Sequence, residues 1–284
     1  MDLINLKSIY TIAKKEFLDN IRNKWIIFLT AILLILVLAF SYLAGSQTGG
    51  EDVFGDMETT VFGLLGISSI LIPLIAIILG FGTISGEAES GALSIVLSYP
   101  VSRLEVLLGK LLGLGSVIVL AVLVGFGFGG IIITLTVSGE SWAGYLGFMG
   151  LTIFLGFIFL SLSICISAFF KRRITSIGGG LVVFFWGIII GIVFFAALLG
   201  TGVDFADFQT GNIPDWFWLE PLLSPPDLHQ TTVMRAFGLD FIEISGFSLS
   251  LPGFLSTGLL LLGHFLWLII PLILAYWFFM RRDI

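Results

Sequence analysis

The sequence predicts an all-α integral membrane protein, with six transmembrane helices preceded by an amphipathic interfacial helix. Three observations carry the prediction. First, the 284 residues are 57% hydrophobic and only 11% charged, and a mean hydropathy of +1.12 leaves too few polar side chains to cover a water-soluble core. Second, the apolar residues run unbroken past the roughly 20 needed to cross about 30 Å of hydrocarbon. Third, the basic residues gather on alternate sides of those runs. Lipid offers no partner to a backbone N–H or C=O, so only helices or a closed barrel can span it. Runs this long select helices.

The expected organisation is one transmembrane domain over residues 1–284. Residues 1–25 form a helix ahead of the first span: Leu6, Ile9, Tyr10, Ala13, Phe17, Ile21 and Trp25 recur every three or four residues, and Lys7, Lys14, Lys15, Asp19 and Arg22 take the other faces. Such a helix suits the membrane surface, its lysines towards anionic headgroups. This leader is too long and too structured for a cleaved signal peptide. The spans follow at 26–45, 61–83, 108–137, 143–170, 176–200 and 257–280. The third and fourth are long enough to tilt or project beyond lipid, and only Ser138 to Trp142 separate them, so they form a tight hairpin.

Charge sets the orientation. Twelve of the thirteen basic residues lie before span one, between spans two and three, between four and five, or after span six. Under the positive-inside rule that side is cytoplasmic, which places both termini there and makes the chain a multi-pass protein of the cell membrane. The opposite loops carry twelve acids against Arg235 alone. These acids form either a vestibule that attracts cations or a solvated surface. The single cysteine, Cys165, lies in span four and can form no internal disulfide; it reads as a small buried hydrophobe.

Residues 84–107, between spans two and three, form a cytoplasmic elbow. Pro100 breaks it in two. Ser102 and Glu105 are spaced as a capping box that starts a new helix near Arg103. Before the break, Glu87 and Glu89 suit the positive end of a short helix, and Leu93, Val96 and Leu97 give it an apolar edge. A connector between membrane helices needs only a few residues, so the extra length points to a partner. On the outer side, the prolines of 201–256 preclude a long helix and Trp216, Phe217 and Trp218 form an interfacial cluster, so short helices lying on the outer leaflet are expected.

Several chemistries are missing from the sequence. No GxxxxGK[ST] is present, so the chain holds no phosphate-cradling loop, and the GxGxxG at Gly125, Gly127 and Gly130 falls inside a span rather than after a strand. The GxxxG pairs Gly109/Gly113, Gly125/Gly129 and Gly187/Gly191 allow close helix approach within the bundle or across a dimer. His264 is the one centrally placed group able to titrate near neutrality; it either touches a substrate path or bonds to a neighbouring helix. No metal site and no nucleic-acid surface are encoded.

The elbow resembles that of the permease subunits of type 2 ABC transporters, in which E-x-E-x-G-T-L is followed by a proline, S-R and G-K. Glu87, Glu89, Gly91, Leu93, Pro100, Ser102, Arg103, Gly109 and Lys110 match, with Ala92 in place of the threonine. The Lys15-Glu16-Phe17 leader, the six spans and the large outer segment extend the likeness over the whole chain. Leu223 to Asp227, with Arg235 downstream, is similar to the outer segment of permeases that serve nitrous-oxide reductase copper-site maturation, although His229, Met57 and Met234 are too scattered for a copper site by spacing. The resemblance implies a type V exporter-like transmembrane domain that works in a homodimeric or pseudo-symmetric pair, with a homodimer expected. It implies a separate ABC ATPase subunit that binds ATP and Mg and drives the elbow. Under it, the chain itself is not an enzyme. The rivals are a secondary transporter or a channel-like protein without an ATPase, and an intramembrane enzyme; the spans show neither the broken helices and midplane charges of the first nor a catalytic constellation for the last.

Overall fold

A computed structural model describes residues 5–46, 57–136, 142–239, 241–244 and 247–283. The expected turn between the third and fourth runs, and the acids Glu51, Asp52, Asp56, Glu140 and Asp240, lie outside the described residues.

Helix α1 (Leu6–Ile21) starts at Asn5, whose side chain accepts from the Lys7 N–H. Next come α2 (Lys24–Ser46) and α3 (Met57–Gly80), the two short elbow helices α4 (Ser85–Glu89) and α5 (Ala92–Leu97), then α6 (Arg103–Thr136), α7 (Trp142–Phe169), α8 (Arg173–Phe184) and α9 (Trp186–Gly200). A chain of short pieces follows: α10 (Phe205–Thr210), a 3-10 turn (Asp215–Leu219), α11 (Glu220–Leu223), α12 (Pro225–Ala236) and the antiparallel strands β1 (Phe241–Ile244) and β2 (Phe247–Ser250). Helix α13 (Thr257–Met280) is the last element. Among the described residues five helices are long and apolar enough to cross a membrane, and α8 and α9, bent by 43° at their junction, make a sixth if the pair is taken as one span. The α-helical membrane fold expected from the apolar runs is the fold observed.

Helices α6 and α7 form the centre. Helix α6 packs against α1, α2 and α7, while α7 packs against α3 and α13. Leu33 and Val37, Ile72 and Ile75, Val122 and Phe126, and Phe148 and Phe159 meet there with at most 1% of their surface exposed. With 34 residues, α6 is about 51 Å long at 1.5 Å per residue, well beyond the hydrocarbon. Helix α1 lies along the first turns of α6, where Val106, Leu107 and Leu111 belong to the core.

Close packing explains most of the spaced glycines. A Cβ on Gly113 would fall 2.5 Å from the Ala13 carbonyl oxygen, and one on Gly109 would fall 2.7 Å from Ile12 Cβ. Gly125 and Gly129 face Leu33 and Val37 of α2, and Gly187 faces Ser224, Pro226 and Asp227. Five of the six glycines singled out by spacing are therefore contacts within the chain; only Gly191 meets nothing within 4 Å.

The structure differs from the sequence expectation in three places. The run 176–200 is two helices, because the backbone leaves the helical region at Phe185 and the Trp186 indole donates to the Leu223 carbonyl at 2.9 Å. Helix α12 does not lie on a leaflet: Leu228, His229 and Thr231 to Met234 are buried where it packs against α3, α7 and α13. A strand pair also follows it, with Phe241 opposite Ser250.

Candidate functional site

The site is the elbow at the end of the bundle where the basic residues collect. Its sharp bend is local chemistry. Gly91 has φ 74°, a left-handed conformation that costs glycine nothing, and it separates α4 from α5 where the sequence suggested one helix. After Pro100 the capping box forms as its spacing implied: Glu105 N–H donates to Ser102 Oγ at 3.2 Å, and Ser102 N–H donates to Glu105 Oε2 at 2.8 Å. The other oxygen of Glu105 accepts from the Asn5 N–H at 2.6 Å, so one carboxylate starts α6 and holds the beginning of α1.

Four charged side chains then join three elements. Lys110, on α6 and 2% exposed, places its Nζ 2.8 Å from Glu16 Oε1 on α1 and 2.7 Å from Glu87 Oε1 on α4. Lys15 stands 3.3 Å from Glu16 and 3.7 Å from Glu87. The two ammonium groups balance two carboxylates, which makes burial of the cluster tolerable. Burial opposes ionisation of Glu16, yet Lys110 and then Lys15 outweigh it and hold the carboxyl below its usual range.

A second anchor is made of hydroxyls. Ser85, Ser167 and Ser176, from α4, α7 and α8, are fully buried. Ser167 Oγ accepts from the N–H groups of Ile84 and Ser85 at 3.0 Å each, and Ser176 Oγ donates to Ser85 Oγ at 3.0 Å. Glu89 completes the attachment by accepting from the Arg173 N–H at 2.9 Å, at the start of α8.

Both acids expected to carry the coupling also bond within the chain: Glu87 Oε1 lies 2.7 Å from Lys110 Nζ, and the exposed Glu89 accepts from the Arg173 N–H. Leu93 is fully buried, and Val96 and Leu97 are half-buried against the core. Arg103 is turned to the end of α13, where its guanidinium donates to the carbonyls of Phe279, Met280 and Arg282. Pro100, Ser102 and Gly91 are exposed. The face turned away from the bundle instead presents Ile95 and Tyr99, 65% and 66% exposed. Sequence reasoning missed them, although their i, i+4 spacing opposite Leu93 was available.

His264 lies far from the elbow. Its ring is buried against Phe154 at 5.3 Å between centroids, and Nδ1 sits 2.9 Å from the Leu260 carbonyl oxygen. Of the soft ligands weighed from sequence, His229 and Met234 are buried on α12, and the side chain of Met57 lies outside the described residues. Burial, and then His264, push the His229 imidazole down to about 3. The segment also holds a cavity of 650 Å³ with Phe217, Trp218 and the carboxyls of Glu220 and Asp227 in its wall.

Through these contacts the elbow is joined to α6, α7 and α8 at once. The sequence matches the model of the ABC-2 family transporter proteins over residues 10–284. It is 32% identical over 283 residues to the probable ABC transporter permease protein NosY of Pseudomonas aeruginosa, covering 97% of this chain and 99% of that protein. A protein of the same description from Stutzerimonas stutzeri is 32% identical over 290 residues, covering 98% of this chain and 99% of that one. A helical membrane bundle with an anchored elbow at its basic end, and a match that runs nearly end to end, place the chain in the ABC-2 family of ABC transporter membrane proteins.

Proposed function

We propose that the chain is the membrane-spanning half of an exporter, that it works as a homodimer, and that a separate ATPase drives it through the exposed edge of the elbow. The observation that best supports this is the Ile95–Tyr99 pair, an apolar and aromatic edge on a segment fixed from behind by Lys110, Ser167, Ser176 and the Arg173 N–H. An aromatic side chain beside an aliphatic one is the type of anchor that fills a pocket on a protein partner. ATP and Mg belong to that partner. The basic end faces the cytoplasm, consistent with the twelve cations at that end, and closure of the partner opens the path between two copies towards the acidic end. The permease description of the relatives agrees with this assignment.

Ile95→Asp combined with Tyr99→Asp is expected to lower co-purification of the ATPase subunit about tenfold or more, the loss typical of an aromatic anchor, while membrane insertion is retained. Normal association of the double variant would move the docking surface elsewhere. Orientation is tested in a chain lacking Cys165, with single cysteines at the exposed positions Asn212 and Ser90. An impermeant reagent outside the cell should reach Asn212 and not Ser90; the reverse would invert the topology. A single permease copy in the active complex would refute the homodimer.

A further inference from the structure

A cleft of 460 Å³ opens between the ends of α7 and α13 beside α4, with Phe169, Phe278, Lys171 and Arg281 in its wall. Both helices end there as membrane spans, at Phe169 and Met280, so the cleft sits where hydrocarbon gives way to headgroups. Phe169 is 57% exposed and meets Phe278 at 4.9 Å between ring centroids, which makes one wall apolar. The mouth is cationic. Among the described residues neither Lys171 nor Arg281 is in an ion pair, and the Arg281 guanidinium is held in place 3.9 Å over the Trp277 ring.

Two features keep an anion from being repelled. The end of α7 would normally present orphan carbonyls and the negative pole of its dipole. Arg282 covers it, with Nη1 donating to the carbonyls of Ser167, Ala168 and Phe170 at 3.0 to 3.2 Å and Nη2 to that of Lys171 at 2.9 Å. Arg103 does the same for α13. The wall holds two carboxylates, Asp283 and Glu89, the latter with one oxygen engaged by the Arg173 N–H, against three cations, Lys171, Arg281 and Arg282.

We propose that this cleft seats the phosphate headgroup of an anionic phospholipid between Lys171 and Arg281, with an acyl chain lying on Phe169 and Phe278. Basic pockets between span ends recognise lipid phosphate in this way, and each cation adds attraction near the surface. Because Ala88 and Glu89 of α4 form part of the same cleft, the lipid stands directly against the elbow. The inference requires only that the spans lie in a bilayer; it needs neither the ATPase nor the orientation proposed above.

The test uses the full chain alone, in nanodiscs of equal phosphatidylcholine and phosphatidylglycerol, extracted into detergent so that retained lipid can be counted by native mass spectrometry. The wild-type chain should retain phosphatidylglycerol in preference to phosphatidylcholine. Lys171→Gln with Arg281→Gln should lower that retention about tenfold or more. Lys7→Gln with Lys14→Gln, which removes the same charge from the same end, should change it little. Equal retention of both lipids by the wild-type chain would overturn the proposal. So would equal losses in the two double variants, because the attraction would then be diffuse.

Discussion

Lys110 holds Glu87 at 2.7 Å and thereby ties the elbow to the helix that follows it. The same ammonium reaches Glu16 at 2.8 Å, so one buried cation bonds carboxylates from two other elements. Replacing it by methionine leaves the buried Glu16 and the half-buried Glu87 beside Lys15 alone. Lys110→Met is expected to destabilise the folded chain by about 3–5 kcal/mol, the usual cost of breaking a buried pair. Thermal unfolding of the purified protein measures this, and an unchanged midpoint would mean that the cluster contributes nothing.

Gly113 admits α1 to the surface of α6. A methyl group there would meet the backbone of Ala13 and the Cβ of Glu16, neither of which is a flexible side-chain end. Gly113→Ala is expected to cost about 1–3 kcal/mol through overpacking and to speed proteolysis within residues 5–22. Gly191→Ala, with open space around it, should do neither. Equal protease resistance of the two variants would contradict the packing.

The acidic segment makes stability depend on pH. Burial, and then Asp227, push Glu220 up to about 8, and burial raises Asp227 as well. A raised carboxyl pKa means that the folded chain keeps protons the unfolded chain releases, so stability falls as pH rises from the ordinary value of 4.5 towards 8. His229 acts with the opposite sign and only below 6.5, its unperturbed value, where acid must charge a buried ring. Between about pH 6.5 and 8.5 the carboxyl effect stands alone. The wild-type melting temperature should drop across that interval, and Glu220→Gln should flatten the drop. Parallel curves for the two proteins would rule out Glu220 as the source.

Arg282 closes the end of α7 by donating to four carbonyls. Arg282→Ala returns those acceptors to water or leaves them unpaired. A loss of about 1.5–3 kcal/mol is expected, the range for hydrogen bonds to a charged group, together with faster amide exchange in the last turn of α7. Exchange confined to α13 would contradict the assignment.

The sequence makes legible what is encoded within one turn or one span. Apolar runs give the long helices because lipid tolerates nothing else, and the three-residue spacing of Ser102 and Glu105 gives the start of α6. Pairings between distant segments are not encoded locally. Glu16 looks like one more polar residue of an amphipathic helix until Lys110, 94 positions later, is placed beside it. The burial of α12 is hidden for the same reason: its residues are polar on average, and only the shape of the bundle shows that His229 and Thr231 face inward. At the elbow the acidic signature was visible, but the direction of the carboxylates was not. Glu87 turns inward because Lys110 waits there, and the exposed edge passes to Ile95 and Tyr99.

The hydroxyl anchor also has a consequence for synthesis. Ser85 leaves the ribosome 82 residues ahead of Ser167 and 91 ahead of Ser176, and Glu89 precedes Arg173 by 84. The nascent elbow therefore emerges without its hydroxyl anchor and without the Arg173 contact. It can take its final place only after the next two long helices, α6 and α7, and the start of α8 have been delivered. A chain stalled between residues 110 and 170 would carry a complete elbow sequence held through Lys15 and Lys110 alone, which makes that interval the time when a chaperone or membrane insertase would meet it half-anchored.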